Sequence, residues 1–307
     1  MAKNKKKKEG DMSFLEHLEE LRWHIVRSVL AIFLVAVVAF IFNEIVFDTL
    51  ILAPKHPDFW TNRMFCALGQ SLRIEALCIN SKPFEIINIQ MAGQFTTHIM
   101  VSLIAGLILA FPYIFYEFWS FFRPALYSTE RKHASGAVFF SSLLFLTGVL
   151  FGYFLIVPLS VHFLGSYNVS AEVTNQISLR SYISTVASIT LAAGLVFQLP
   201  IMAYFLTKIG LIDPPFMKKY RRHSVVVILA LSAIITPPDI FSQIMVCFPL
   251  IFLYEIGIFI SRTVLRKEKE RLESDWDKDD EKSATGDKGE KEEASDMSSG
   301  EEKKSDQ

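Results

Sequence analysis

Long apolar runs are the sequence feature that most constrains this chain. Four of them, at 25–47, 91–115, 136–159 and 181–206, reach the roughly 20 residues that a helix needs to cross a bilayer core of about 30 Å. Residues 11–262 are only about 12% charged, whereas soluble domains average roughly 25%. This excludes a water-soluble enzyme and predicts an all-α integral membrane protein.

Two shorter apolar runs follow, at 224–235 and 240–261, separated by the turn sequence T-P-P-D at 236–239. The first has 12 residues, which as a helix would be about 18 Å long. The pair could form one re-entrant hairpin or two short spans that sit in locally thinned membrane or behind neighbouring helices. We favour two short spans, six in all, because the polar clusters before and after the pair then lie on the same side.

The distribution of basic residues predicts the orientation. With six spans, 20 lysines and arginines fall in segments on the side of the N-terminus, without counting six more in the distal tail, and only five fall on the other side. Since cytoplasmic loops carry the excess of Lys and Arg, both termini are expected inside. The first apolar run is about 23 residues long and has no small-residue exit site, which argues against a cleavable signal peptide.

The two ends of the chain differ from the membrane body at 13–262. Residues 1–12 are rich in lysine, and residues 263–307 form a charged, predominantly acidic tail; we expect both to be disordered, the tail in the cytoplasm. The segment 48–90 is the sizeable external loop and contains Cys66 and Cys78. An oxidising outer compartment favours a disulfide between them; two unpaired cysteines are the alternative.

No catalytic or nucleotide-binding motif is present in the sequence, so no cofactor and no enzyme activity are expected. Attention falls instead on two acids near the cytoplasmic ends of helices, Glu20 and Glu130. They could be ordinary helix-end and loop charges. They could also face one surface and bind two guanidinium groups, which carboxylates bind bidentately and which lose little on desolvation.

Polar residues within the spans give a further prediction. Gln198 and Glu255 lie at comparable depths, about 10 Å from the cytoplasmic edge. They could contact each other, or Glu255 could snorkel to the edge instead. The Gly148-x-x-x-Gly152 pair would let a neighbouring helix approach the third span closely.

Three motifs then identify a family: F-L-E-H-L-E-E-L-R at 14–22, W-S-F-F-R-P-A-L-Y-S-T-E-R at 119–131 and T-P-P-D-I-F-S-Q at 236–243. Together with F-Q-L-P at 197–200 and E-I-G-I-F-I-S-R at 255–262, they resemble TatC, the multispanning subunit of the twin-arginine protein translocase. The resemblance covers about residues 12–265. It implies six spans in a curved, glove-like bundle, with the last two spans short.

The resemblance also implies roles for particular residues. The signal-binding glutamates of the family fall on Glu20 and Glu130, and Arg22 and Phe121 match other residues of the same cytoplasmic surface. Gln198 matches the polar position thought to help dock the single-span partners TatA or TatB. The outer turn of the family falls on Pro237, Asp239 and Gln243.

The function implied is recognition without covalent chemistry, in the inner membrane of a bacterium. The twin-arginine pair of a folded precursor's signal peptide would dock on the two glutamates, and partner helices would assemble in a larger complex holding several copies of this chain. The protonmotive force would drive transport, and no nucleic acid would be involved. A secondary small-solute transporter is the alternative function, although the sequence shows no inverted repeat, and a purely structural scaffold is a third.

Overall fold

The computed structural model describes residues 14–74, 78–80, 84–122, 134–170, 172, 175–235, 243–267, 269–270 and 273–274, and these are mostly helical. The helices are α1 (Phe14–Ile41), α2 (Trp60–Leu72), α3 (Gly93–Phe122), α4 (Ala134–Phe151), α5 (Val157–Ser166), α6 (Leu179–Val196), α7 (Leu199–Lys208), α8 (Pro214–Lys219), α9 (Arg221–Ile235) and α10 (Gln243–Lys267). Wider π-helical turns occur at Ile45–Ile51 and Gly152–Ile156, and a 3-10 turn at Ala53–Lys55. Two short strands, β1 (Ile86–Ile87) and β2 (Ile177–Ser178), pair in parallel.

Within the described residues, five helical stretches are long and apolar enough to cross a membrane: Leu18–Ile41, Gly93–Phe121, Gly136–Ser166, Leu179–Lys208 and Gln243–Lys267. Four of them overlap most of the long runs predicted from the sequence, although the first helical stretch ends at Ile41 and the predicted run at 47. The fifth contains most of the run at 240–261. The run at 224–235 lies in α9, whose 15 residues give a helix of about 22 Å. The six-span count therefore stays a prediction.

The chain divides into two compact units, one of Met1–Ile201 with Arg221–Glu255 and the other of Met202–Tyr220 with Ile256–Gln307. In the first unit α1 packs along α3, and the approach is close at Gly106. A Cβ atom at that position would lie 2.8 Å from the Ala36 side chain and from the Ile32 carbonyl. Only glycine fits there without a shift of backbone, so this contact fixes how α1 lies on α3.

The small residues of the third span serve the same purpose against α6, as the sequence predicted. A Cβ atom at Gly148 would lie 2.7 Å from Phe197, and one at Gly152 would lie 2.7 Å from Ala193. The neighbouring Phe145 is fully buried and stacks on Phe111 of α3 with 3.6 Å between the ring centroids. The deepest part of the core therefore lies where α3, α4 and α6 meet.

The segment between α1 and α3 folds against the end of the third span. Cys66 and Cys78 form a disulfide, and the side-chain amide of Asn80 donates to the carbonyls of Pro54 and Pro158. The backbone N–H of Asn80 donates to Nδ1 of His162 in α5, at 3.1 Å. These buried polar contacts satisfy groups that would otherwise be costly to remove from water.

The second unit contains most of α7, all of α8 and the last part of α10. Its internal contacts include a buried hydroxyl pair, Thr207 and Ser261, at 2.6 Å. Lys208 donates to the Tyr204 hydroxyl one helical turn earlier, at 3.0 Å. Such hydroxyl pairing is a common way to satisfy polar groups between membrane helices.

Several predictions concern residues outside the described ranges. They are the basic segment 1–12, most of the tail at 263–307, and the positions Glu130, Pro237 and Asp239. The division into terminal segments and membrane domain therefore stays a prediction. Gln243 is described: it begins α10, and its amide nitrogen lies 3.5 Å from the Leu229 carbonyl of α9.

Candidate functional site

Glu20 lies near the start of α1 and is half-buried. The α1 segment favours a helix around Glu20, because it has apolar residues at helical spacing and contains no glycine or proline. Among the residues that the structure describes, none forms a hydrogen bond or an ion pair with its carboxylate. Glu20 is thus an acceptor within reach of solvent at one end of the first span.

One turn further along α1, His24 forms the strongest polar contact of this region. Its Nδ1 lies 2.5 Å from Oε2 of Glu117 on α3, and the two side chains are only 14% and 5% exposed. Arg27 is near enough to attract the same carboxylate. The pair therefore joins α1 to α3 directly beneath Glu20.

Glu117 was missed by the sequence analysis. The predicted second span ended at residue 115, whereas α3 continues to Phe122, so an acid placed just beyond the run became part of the helix. The sequence feature that could have drawn attention to Glu117 is its position inside an aromatic stretch, Y-E-F-W at 116–119. Its partner is 93 residues away in the sequence, and no local pattern indicates that pairing.

Phe121 lies one turn after Glu117, and its ring meets His24 edge-on with 6.1 Å between centroids. The structure therefore brings Phe121 close to the His24–Glu117 pair. Glu20 lies on the preceding turn of α1. We call Glu20, His24, Glu117 and Phe121 the α1–α3 cluster. It combines one solvent-accessible carboxylate with a half-buried aromatic ring.

Arg22 points elsewhere. Its guanidinium is 3.5 Å from Glu19, both side chains are about two-thirds exposed, and it lies 5.8 Å from the centre of the Trp23 ring. An exposed pair of this kind contributes little to stability. Arg22 is therefore available at the surface, whereas the position of Glu130 relative to Glu20 lies outside the described residues.

Gln198 is buried at the break between α6 and α7, where Pro200 follows. Its Oε1 accepts from the Ser141 hydroxyl at 2.6 Å, and its Nε2 donates to the Ser141 carbonyl at 3.0 Å. One α4 residue thus satisfies both ends of the amide. The geometry suits a neutral glutamine, because a carboxylate could not donate the second bond.

The suggested contact between Gln198 and Glu255 is wrong. Glu255 forms an ion pair instead with Arg221 at the start of α9, where Nε lies 2.6 Å from Oε1. Arg221 belongs to the basic group that precedes the fifth apolar run in the sequence. The rise per residue fixes depth but not the direction in which a side chain points.

The side chains of the α1–α3 cluster limit what this part of the molecule can bind. Within the described ranges, no three His, Cys, Asp or Glu side chains come together in a way that could hold a metal. What the α1–α3 cluster offers is an acceptor for a cation beside an apolar ring. A carboxylate that accepts hydrogen bonds from a charged donor forms one of the stronger polar contacts available to proteins.

Comparison with known protein families shows to which family the chain belongs. The model of the family described as Sec-independent protein translocase protein (TatC) matches residues 16–249. The chain belongs to the TatC family. The resemblance seen in the sequence motifs is thereby confirmed, and the protein is a membrane component of a Sec-independent protein translocase.

Relatives and solved structures agree with the assignment. The TatC protein of Blattabacterium sp. subsp. Periplaneta americana is 42% identical over 264 residues, which cover 85% of this chain and 99% of that protein. The TatC protein of Desulforapulum autotrophicum is 34% identical, over 85% of this chain and 88% of its own. A crystal structure of twin arginine translocase receptor TatC in DDM matches with a TM-score of 0.63 and 33% identity, over 80% of this chain and 99% of that one. These matches do not favour a small-solute transporter.

Proposed function

We propose that this TatC-family protein is the receptor for twin-arginine signal peptides, and that Glu20 and Glu130 receive the two arginines. The observation that carries the proposal is the half-buried Glu20 carboxylate, which has no partner among the described residues and lies one turn from the His24–Phe121 contact. An arginine could pair with Glu20 while the apolar part of the signal lies against Phe121. Arg22 and Phe121 would belong to the same signal-binding surface, as the family resemblance implies.

The proposal includes the arrangement in the membrane. The protein would cross the inner membrane of a bacterium six times, in the curved bundle that the resemblance implies, with both termini in the cytoplasm. The five described spans and the concentration of basic residues on one side support this. Pro237, Asp239 and Gln243 would order the turn between the last two spans.

Transport would require partners and an energy source. TatA, and TatB where one exists, would dock near Gln198, and several copies of the chain would share one complex powered by the protonmotive force. Both ends of the Gln198 amide already bond to Ser141. A partner helix would therefore either displace Ser141 or use the second donor and the second lone pair of the amide. Because Gln198 does not ionise, proton transfer at this position is not part of the proposal.

Glu20→Gln tests the proposal, with Glu19→Gln as the matched control. Both changes remove one negative charge from α1, but Glu19 is exposed and paired with Arg22. A hydrogen bond to a charged group contributes about 1.5–3 kcal/mol, so loss at Glu20 should weaken binding of a twin-arginine peptide roughly 10- to 100-fold. Export of a folded reporter should fall accordingly, and the control should behave as the wild type. Wild-type binding and export by the Glu20→Gln protein would refute the assignment of this residue.

A further inference from the structure

Helix α2 has two unlike faces. One face is buried against the rest of the first unit and carries Thr61, Asn62, Phe65 and Gly69. The other carries four large apolar side chains at a spacing of four residues, each between 43% and 65% exposed: Trp60, Met64, Leu68 and Leu72. We call these four residues the α2 stripe. A contiguous apolar stripe at a protein surface usually marks a contact with a partner or a membrane.

The orientation of the α2 stripe is fixed by the contacts on its other face. The Asn62 amide donates to the carbonyls of Pro54 and His56, at 3.1 and 2.8 Å. The disulfide between Cys66 and Cys78 ties the middle of the helix to the segment that follows it. Rotating the stripe inward would break these bonds, so its exposure is a property of the fold.

The depth of α2 in the membrane follows from the third span. In the sequence, a basic group at 131–133 marks one membrane face immediately before Ala134, where α4 begins. About 20 residues of helix cover the hydrocarbon core of about 30 Å, and counting them from Ala134 reaches Tyr153. This count places Tyr153 and Phe154 near the far boundary of the core, within the stretch Gly136–Ser166 that is long enough to cross it.

Helix α2 starts at this boundary. The Thr61 hydroxyl donates to the Phe154 carbonyl at 2.5 Å, and the Trp60 ring meets the Phe154 ring edge-on with 6.2 Å between centroids. Phe65 packs with Leu159 and Leu155 of the same span. The stripe thus runs beside the end of the span, on the side of the membrane opposite to Glu20.

We propose that the α2 stripe lies in the lipid of the far leaflet, at the level where headgroups meet acyl chains. At 13 residues α2 is too short to span a bilayer, but amphipathic helices of this kind lie in the interface plane. Trp60 and Tyr153 are the residue types enriched at that level. The helix carries Arg63 and no acidic residue, so its charge suits anionic headgroups.

The occupant is therefore lipid rather than a second copy of the chain or another protein. The inference does not depend on signal-peptide binding, because α2 and Glu20 lie at opposite membrane faces. Its consequence is that the disulfide-linked segment is anchored to the bilayer surface through α2. This would hold the outer end of the third span at a fixed depth.

A spin label on each flank of α2 tests the proposal. A ketone-bearing non-natural residue is placed at Leu68 or at Gln70 and coupled to a nitroxide, which leaves the cysteines untouched. Both positions are exposed, and two residues apart on a helix they point about 160° from each other. The full chain is reconstituted in vesicles of phosphatidylethanolamine and phosphatidylglycerol, and accessibility to oxygen and to a water-soluble nickel chelate is measured.

We expect the label at Leu68 to favour oxygen over the nickel chelate several-fold more than the label at Gln70. Equal access of the nickel chelate to both labels would show that the stripe faces water and would overturn the proposal. Exclusion of both reagents at Leu68 would also overturn it, since protein would then cover the stripe. Dipolar broadening between labels would identify a second copy as that cover. A label at Met64 repeats the measurement if the Leu68 variant does not fold.

Discussion

Breaking the contact between His24 and Glu117 should reveal how strongly α1 is held on α3. The His24→Ala change removes the donor 2.5 Å from a carboxylate that is 5% exposed. Removing a hydrogen-bond donor from a buried carboxylate costs about 1–3 kcal/mol, and more when the carboxylate is left without any partner. Tyr113 also donates a hydrogen bond to Glu117, and Arg27 attracts it, so both compensate in part. We therefore expect a loss of about 1–3 kcal/mol in the free energy of unfolding.

A second substitution distinguishes an unpaired charge from a simple loss of packing. In the His24→Ala background, Glu117→Gln removes the buried negative charge while keeping the shape of the side chain. The double variant should be more stable than His24→Ala alone, by about 1–3 kcal/mol. Arg22→Ala is the control: its pair with Glu19 is exposed, so its loss should cost less than about 1 kcal/mol.

The assay is denaturant unfolding in detergent micelles, followed by circular dichroism for the wild type and the three variants. The same proteins are then tested for binding a fluorescent twin-arginine peptide. If His24 positions Glu20, the affinity should fall in His24→Ala and recover in part in the double variant. A double variant no more stable than His24→Ala would contradict the reasoning, because the cost would then not come from the buried charge.

Two further predictions concern packing and the external segment. Gly148→Val should lower the free energy of unfolding by about 1–3 kcal/mol, because the valine side chain would clash with Phe197. The measurement is thermal unfolding. Gly136→Val is the control, because a Cβ atom at that position meets nothing within 4 Å. Replacing both Cys66 and Cys78 by serine should cost about 3 kcal/mol for a loop of this length. A reducing agent should then lower the unfolding temperature of the wild type and not that of the double-serine variant; an equal effect on both would argue against a stabilising disulfide.

The sequence predicted the parts of the fold that depend on composition along the chain. Apolar runs of about 20 residues located the long spans, and the spacing of Gly148 and Gly152 predicted a close helix contact that the structure contains. These features are local, because a helix in a bilayer must satisfy its own backbone and present apolar side chains to lipid. Glu20 could be selected for a similar reason, since an acid is unusual at a helix end where the sequence predicts a cytoplasmic, mostly basic segment.

The sequence did not predict the contacts between helices, because these depend on which helix faces meet in the fold. The pairing of His24 with Glu117 and that of Gln198 with Ser141 each join helices distant in the chain. The position of the segment between α1 and α3 was not predicted either, because it depends on contacts of Asn80 with residues about 80 positions away in the sequence. Family membership supplies roles for residues but not these contacts.

The π-helical turn at Gly152–Ile156 also determines the direction in which the side chains of the following helix, α5, point. A π turn holds one residue more than an α turn, and one residue of an α-helix corresponds to about 100° of rotation. The side chains of α5 are therefore rotated relative to those of an uninterrupted α4. This rotation directs His162 to Asn80, and the Phe154 carbonyl that accepts from Thr61 lies within the turn itself. A one-residue deletion within the turn would shift both out of register together, and with them the attachment of the external segment.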